Sequence, residues 1–268
     1  MNLDRALDLL ICPVCRDPLS RTEGQLLCPQ GHSFDIARQG YVNLTGGAQP
    51  ANADTAAMLD ARARVHAAGV FDPVIEMVAT LARGRSRILE AGAGIGSYLH
   101  TALGEDPSAV GLALDISKHA ARRCAKIDPR VAALVADIWA PLPIADHSLD
   151  VVLAVFAPRN LPEFARVLRF DGRYIAVTPR PPHLAGLRDS YGLLDIPSAK
   201  SEQLTAAAAE FFDLVDTRVV KYRRSVDETL AADLIAMGPN AFHHPPAQVT
   251  ASVVNIDVTV QSFRPFLG

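Results

Sequence analysis

The chain is poor in cysteine, with four in 268 residues, and that scarcity excludes a disulfide-stapled scaffold of the secreted type. It lacks any uninterrupted run of about 18 apolar residues, the length a membrane-spanning helix needs, so no membrane association is expected. Its start, Met1-Asn2-Leu3-Asp4-Arg5-Ala6, lacks the basic opening and apolar stretch of a secretory signal, and a cytoplasmic location is expected. Positive charge is not in excess. With 26 Lys and Arg against 29 Asp and Glu the formal net charge is −3, which carries no global signature of a nucleic-acid binder. There is no internal repeat and no low-complexity tract. What remains is a chain 49% hydrophobic and 21% charged with mixed signs, apolar enough to bury a core and too apolar for disorder. Its length suits one large domain with a small one beside it.

Residues 1–47 differ in texture from the rest. They are punctuated by Pro13, Pro18, Gly24, Pro29, Gly31 and Gly40, and a segment of that size normally needs a staple to hold it. Residues 46–53 read as a linker. Asp54 or Thr55 is placed to cap a helix running to about Ala68, with Gly69 ending it. Asp72-Pro73 opens a second helix to Ala82, with proline in the tolerated first turn. Residues 48–85 thus read as a linker and helical segment, and residues 86–268 as the large domain. From 86 onward strands are expected over 87–91, 110–114, 132–136, 150–156 and 173–178, with helices over 97–103, 118–126 and 162–168. Such alternation implies a parallel sheet covered by helices on both faces. The last part changes pattern, with period-two segments over 214–222 and 252–263 and helices over 201–212 and 227–237.

Three of the four cysteines fall in the first 28 residues. Cys12-Pro13-Val14-Cys15, then twelve residues, then Cys28-Pro29-Gln30-Gly31-His32 spell C-x2-C-x12-C-x3-H. Each close pair can sit on a tight turn, and two turns can close a tetrahedron around Zn²⁺. An imidazole ligand and the lack of a four-cysteine run favour zinc over an iron–sulfur cluster. Four protein ligands leave no open position, so one structural zinc per chain is expected, its binding energy serving as folding energy. The fourth cysteine, Cys124, lies on a helix of the large domain and reads as a buried, inert thiol.

Ile88-Leu89-Glu90-Ala91-Gly92-Ala93-Gly94-Ile95-Gly96 joins the first strand of the large domain to its helix. Glycines there permit a sharp turn and a close approach of backbone amides to a ligand. Asp115, ending the next strand, can accept hydrogen bonds from ribose hydroxyls. A glycine loop alone serves NAD, FAD or S-adenosylmethionine. Three features favour the last. The spacing is G-x-G-x-G, with no pyrophosphate cradle. Glu90 in the loop would repel a pyrophosphate but suits a cationic sulfonium ligand. Asp137, after the third strand, is placed to meet an adenine amine.

These residues resemble the class I S-adenosylmethionine methyltransferases, with a Rossmann-like α/β core. The zinc lobe before such a core, together with Gly40-Tyr41-Val42-Asn43-Leu44, Met58-Leu59-Asp60-Ala61-Arg62, Val155-Phe156-Ala157-Pro158, Thr178-Pro179-Arg180-Pro181-Pro182-His183-Leu184 and Met237-Gly238-Pro239, resembles the bacterial 23S rRNA guanine-N1 methyltransferases, which include the tylosin-resistance enzymes. The likeness covers nearly the whole chain. It implies methyl transfer to N1 of a guanine in a 23S rRNA stem-loop, macrolide resistance in one subgroup, and a homodimer whose cleft receives the RNA. It implies that Gly94, Ile95, Phe71 and His183 touch the cofactor. The chain departs from the family in three places: Phe71 stands where tyrosine is common, Glu90 where aspartate is common, and Arg159 where a cysteine follows the Ala-Pro pair, which argues against a covalent role there.

Guanine N1 carries a proton and sits on the Watson–Crick edge, so the base must be unpaired or extruded and deprotonated, by a general base or a water relay. His183 and Asp54 are the candidate bases, with packing against the cofactor favoured for His183 and helix capping for Asp54. Two other functions fit parts of the pattern. A class I methyltransferase for a small molecule or isoprenoid quinone suits the charge but leaves the zinc lobe idle, and an inactive zinc-stabilised RNA-binding module leaves the intact Gly92, Gly94, Gly96 and Asp115 unexplained. For RNA contact the arginines near the linker, Arg62 and Arg64, the group Arg83, Arg85 and Arg87, and the later Lys221, Arg223 and Arg224 are the local basic residues, though a solvated face is the better expectation for Arg83–Arg87.

Overall fold

The computed structural model describes residues 2–46, 50, 53–242, 246 and 248–266. Of the linker expected over 46–53, residues 47–49, 51 and 52 therefore lie outside the described residues. A 3₁₀ helix, Asn2–Leu9, opens the chain, followed by the short strands β1 (Ser20–Thr22), β2 (Gln25–Leu27), β3 (Ser33–Asp35) and β4 (Val42–Asn43). Helices α1 (Ala56–Ala67) and α2 (Asp72–Ala82) lead into β5 (Arg87–Ala91), α3 (Ser97–Ala102), β6 (Val110–Asp115), α4 (Lys118–Cys124), β7 (Val131–Val135), β8 (Leu149–Val155), α5 (Leu161–Val167) and β9 (Leu168–Pro179). Then come α6 (Ala185–Tyr191), α7 (Lys200–Ala208), β10 (Phe212–Val226), α8 (Glu228–Ala236) and β11 (Ser252–Pro265).

The large sheet runs β10-β11-β9-β8-β5-β6-β7-β4. Neighbours from β4 to β9 are parallel, and β11 lies antiparallel between β9 and β10. β7 and β8 are buried at every residue, the near-continuous apolar texture of parallel strands covered on both faces. Alternate residues feed two apolar layers. Ile88, Ala113, Val135, Val151, Leu153 and Val177 join the layer under α1 to α4, whereas Leu89, Leu112, Leu134, Val152 and Tyr174 join the opposite one. β11 shows the expected period of two, with Val254, Ile256, Val258 and Val260 in the first layer. No single helix among the described residues is long and apolar enough to cross a membrane.

The N-terminal lobe is not a separate body. β1, β2 and β3 form their own antiparallel sheet, but β4 adds to the edge of the large one beside β7. Leu3, Leu9, Leu10, Leu26, Val42 and Leu44 lie in the same apolar layer as Leu89, Leu112 and Leu134. A segment too small for a core of its own thus borrows one.

The chain order reverses at the centre. β5 leads through α3 to β6 on one side, while β8 leads through α5 to β9 on the other. In open α/β sheets such a reversal leaves a crevice beyond the carboxyl ends of the two strands, where ligands bind.

Candidate functional site

Among the described residues two places concentrate chemistry. In the lobe, the Cys12 turn is closed by a hydrogen bond from Arg16 N to Cys12 O at 2.9 Å, and the Cys28 turn by Gly31 N to Cys28 O at 3.0 Å. Gly31 adopts φ +86°, a left-handed position that glycine takes without strain. The two turns bring Sγ of Cys12, Cys15 and Cys28 and a ring nitrogen of His32 within 4.8 Å of one another. The Cys15–Cys28 Sγ separation is 3.6 Å, and His32 Nδ1 lies 3.6 Å from Cys12 Sγ and 3.3 Å from Cys28 Sγ. Tetrahedral zinc with bonds of about 2.3 Å to sulfur and about 2.0 Å to nitrogen requires edges of about 3.5–3.8 Å. The donor set fits the ion in type and spacing.

The second place is the crevice between β5 and β8. Gly92, Gly94 and Gly96 turn out of β5 with φ of +73°, +54° and +75°. Glu90, 2% exposed, accepts a hydrogen bond from Leu99 N at 3.1 Å. Burial pushes its carboxyl up to about 8. Asp115 accepts from Gly94 N and Ser117 N, both at 2.8 Å, and burial raises its carboxyl too. Two acids in a dry crevice are costly when ionised alone, and a cationic ligand lowers that cost. Asp137 is exposed and accepts from Trp139 N at 2.9 Å at the end of β7. Ile95 and Ser97 line a cleft of about 610 Å³ with Ala63, His66, Arg123 and Lys126, on the helix side of the loop.

An aromatic group closes the other side. Phe71, buried at the start of α2, has its ring 6.2 Å from His183 and 6.0 Å from Phe156. His183 is buried, its Nδ1 accepts from Asp257 N at 3.3 Å, and desolvation by burial takes its pKa down to about 4. The ring is neutral near pH 7 with that lone pair engaged, which favours packing over proton transfer.

Two expectations need correction. Thr55, not Asp54, caps α1, its Oγ1 accepting from Met58 N at 3.3 Å. The Asp54 carboxylate turns instead to Arg62, with Nη1–Oδ2 at 2.6 Å. Nor are Arg62 and Arg64 open cations for RNA. Arg62 also donates to Met237 O at 2.6 Å, and Arg64 grips Asp233 with two hydrogen bonds of 2.7 and 2.6 Å. Arg85 and Arg87 pair with Asp171 and Asp8, whereas Lys221, Arg223 and Arg224 are exposed along β10. Sequence reasoning missed the use made of Arg62, whose guanidinium lies 2.5 Å from where a Gly94 Cβ would stand. It also missed Phe156, whose backbone strain has no sequence signal. Cys124 is buried as expected, its thiol pushed well up by burial, with Sγ 3.6 Å from Gly94 O.

Residues 10–46 match the family described as RlmA, N-terminal, a zinc ribbon, and residues 89–176 match the family described as a methyltransferase domain. A solved structure described as "Conversion of a Disulfide Bond into a Thioacetal Group during Echinomycin Biosynthesis" shares the fold, with a TM-score of 0.50 and 14% identity over 72% of this chain and 81% of that one. Fold, knuckles and crevice together define an S-adenosylmethionine-dependent methyltransferase of class I carrying an N-terminal zinc ribbon with one structural metal site. The chain is 38% identical to the 23S rRNA (guanine(748)-N(1))-methyltransferase of Streptomyces fradiae over 92% of this chain and 90% of that protein. It is 42% identical to a protein of Micromonospora griseorubida designated a 23S rRNA (guanine-N(1)-)-methyltransferase, over 94% and 92%. It belongs to the 23S rRNA (guanine-N1) methyltransferase family.

Proposed function

We propose that this protein transfers a methyl group from S-adenosylmethionine to N1 of a guanine in a 23S rRNA stem-loop. The observation that carries the proposal is the joint presence of zinc ribbon and acidic glycine crevice in one chain, matched over 92–94% of its length by relatives named for that reaction. A methyltransferase for small molecules leaves the ribbon without a task. In this proposal residues 1–47 recognise RNA, residues 48–85 link, and residues 86–268 carry the reaction. The enzyme works in the cytoplasm as a homodimer, which light scattering of the purified protein checks.

Bound S-adenosylmethionine supplies an activated methyl, so the protein's part is chiefly orientation and a shaped, dry site. Glu90, Gly92, Gly94, Ile95, Gly96, Asp115 and Asp137 hold the cofactor, with Phe71 and His183 packing against it. The loop glycines give close backbone approach, and the two buried acids favour a cation. Cys12, Cys15, Cys28 and His32 hold the zinc. Because His183 Nδ1 accepts from the backbone and Asp54 is paired with Arg62, a water relay is favoured over either side chain as acceptor of the guanine N1 proton. Primer extension on 23S rRNA tests the proposal: a stop at one guanine is expected with the gene present and read-through when it is deleted. The same strains compared for macrolide sensitivity test the resistance role. An unchanged stop pattern, with no methyl transferred to an rRNA transcript by purified protein, rejects the activity.

A further inference from the structure

The crevice holds an aromatic residue to which neither the cofactor nor the metal gives a role. Phe156 follows the last residue of β8 and adopts φ +54°. A bulky non-glycine residue in the left-handed region is uncommon and persists only where its surroundings impose it; such strain gathers at functional sites. The constraints here are visible. Phe156 N donates to Val177 O at 3.2 Å, tying the backbone to β9. On the other flank Ala157 packs so closely on Gly92 that a Cβ there would stand 2.7 Å from the Ala157 Cβ. The strained residue carries its ring at the carboxyl end of β8, beside the glycine loop that follows β5. It is 41% exposed, yet one side rests on the His183 ring at 5.8 Å and 25° and its edge meets Phe71. A large apolar ring held in strain, backed on one side and open on the other, is poorly explained by folding stability alone.

We propose that Phe156 is the platform on which the acceptor base stacks, holding the extruded guanine in the crevice between β5 and β8. This rests on the rRNA methylation proposed above. A purine lifted from its own stack loses its neighbours' π-faces, and an aromatic side chain replaces them without reading sequence. The position suits the task, because β5 carries the glycine loop directly opposite, so a base on Phe156 lies beside the cofactor crevice. The strain fixes the platform before RNA arrives. Phe156 is thus a positioning residue that touches substrate.

The test measures methyl transfer to an in vitro 23S rRNA transcript and S-adenosylhomocysteine affinity by calorimetry, for wild type and for Phe156→Trp, Phe156→Leu, Phe156→Ala and Phe156→Gly. Phe170→Ala serves as control, since that ring is exposed near the opposite end of the sheet against His147. Phe156→Trp is expected within threefold of wild type. Phe156→Leu and Phe156→Ala are expected to lose roughly 5- to 150-fold in kcat/KM for RNA, the range for losing one stacked base, with S-adenosylhomocysteine affinity within twofold. Phe156→Gly is expected to melt higher than Phe156→Ala, because glycine relieves the strain. A fully active Phe156→Leu overturns the inference, and so does a loss of S-adenosylhomocysteine affinity as large as the loss of transfer, which gives the ring to the cofactor. If wild type methylates no 23S rRNA, the activity itself fails and this inference with it, an outcome distinct from the other two.

Discussion

Replacing Gly92 with alanine separates two demands that the glycine loop makes on its first residue. At φ +73° an alanine Cβ crowds the following carbonyl, at a cost of about 1–2 kcal/mol. The added Cβ would also stand 2.7 Å from the Ala157 Cβ, roughly 1 Å inside the optimum carbon–carbon distance, and such overpacking costs about 1–3 kcal/mol. Neither atom is the end of a flexible chain, so the backbone of one loop must move. Together the two effects predict a loss of roughly 2–5 kcal/mol, or a melting temperature lower by about 4–20 °C for a chain of this size. Ala157→Gly removes the collision but not the backbone strain. The double variant is therefore expected to recover about 1–3 kcal/mol relative to the sum of the single changes, beyond the roughly 0.5 kcal/mol within which independent sites add. Urea unfolding followed by circular dichroism measures all four proteins. Additive single changes, or a Gly92→Ala variant as stable as wild type, refute the reasoning. Gly94 is the contrast: the nearest atom to an added Cβ is the end of the Arg62 side chain, which can swing aside. Gly94→Asp is accordingly expected to fold and to lose S-adenosylmethionine binding, and calorimetry with undiminished affinity would count against close backbone approach there.

Cys12→Ser and Cys28→Ser are each expected to lose the metal and weaken rRNA binding, and stoichiometric zinc by mass spectrometry in either variant removes it from the ligand set. For Glu90 the folded-state pKa is raised to about 8 from 4.5, by burial. The cofactor-free folded protein keeps that proton longer than the unfolded chain, so the contribution of Glu90 to stability is full below pH 4.5 and falls as pH rises toward 8, by a few kcal/mol in all. Glu90→Gln is expected to flatten this fall in pH-dependent urea unfolding, and parallel curves for the two proteins reject it. His183→Gln is expected to keep the shape of the wild-type pH–rate profile while lowering its height; loss of one limb instead identifies His183 as the proton acceptor.

What the sequence makes legible is whatever depends on near neighbours. Cys12, Cys15, Cys28 and His32 could be read because each knuckle is local and zinc fixes how the two meet. The strand over 87–91 and the glycines after it could be read because burial and turning are set within a few residues, and α2 could be read from Asp72-Pro73. The unread parts depend on distant partners. Arg62 is used through Asp54, eight residues before it, and through the carbonyl of Met237, 175 residues after it. Thr55 and Asp54 were both chemically fit to cap α1, and the pull of Arg62 decided between them. The left-handed backbone of Phe156 depends on β9 and on Gly92, neither adjacent in the chain. The placing of Val42-Asn43 on the edge of the large sheet has no period or motif to announce it.

That last placement changes how the metal relates to the reaction. Residues 1–47 look separable because their texture differs, yet their apolar side chains share a layer with Leu89 and Leu112 of β5 and β6. Those are the strands that end in the glycine loop and Asp115. Leu10 also bridges Ile144, and Arg16 pairs with Asp146, so the first cysteine turn is tied to the loop before β8, the strand that Phe156 follows. Bound zinc would close the two turns, and Leu10 and Leu26 beside them cover one face of the sheet whose far ends form the crevice. A structural ion bound there would act on methyl transfer through folding, since its binding energy is folding energy. If this lobe grips RNA, as proposed, its anchoring would hold the substrate at a fixed distance from the crevice, as a reaction needing one nitrogen of one extruded base requires.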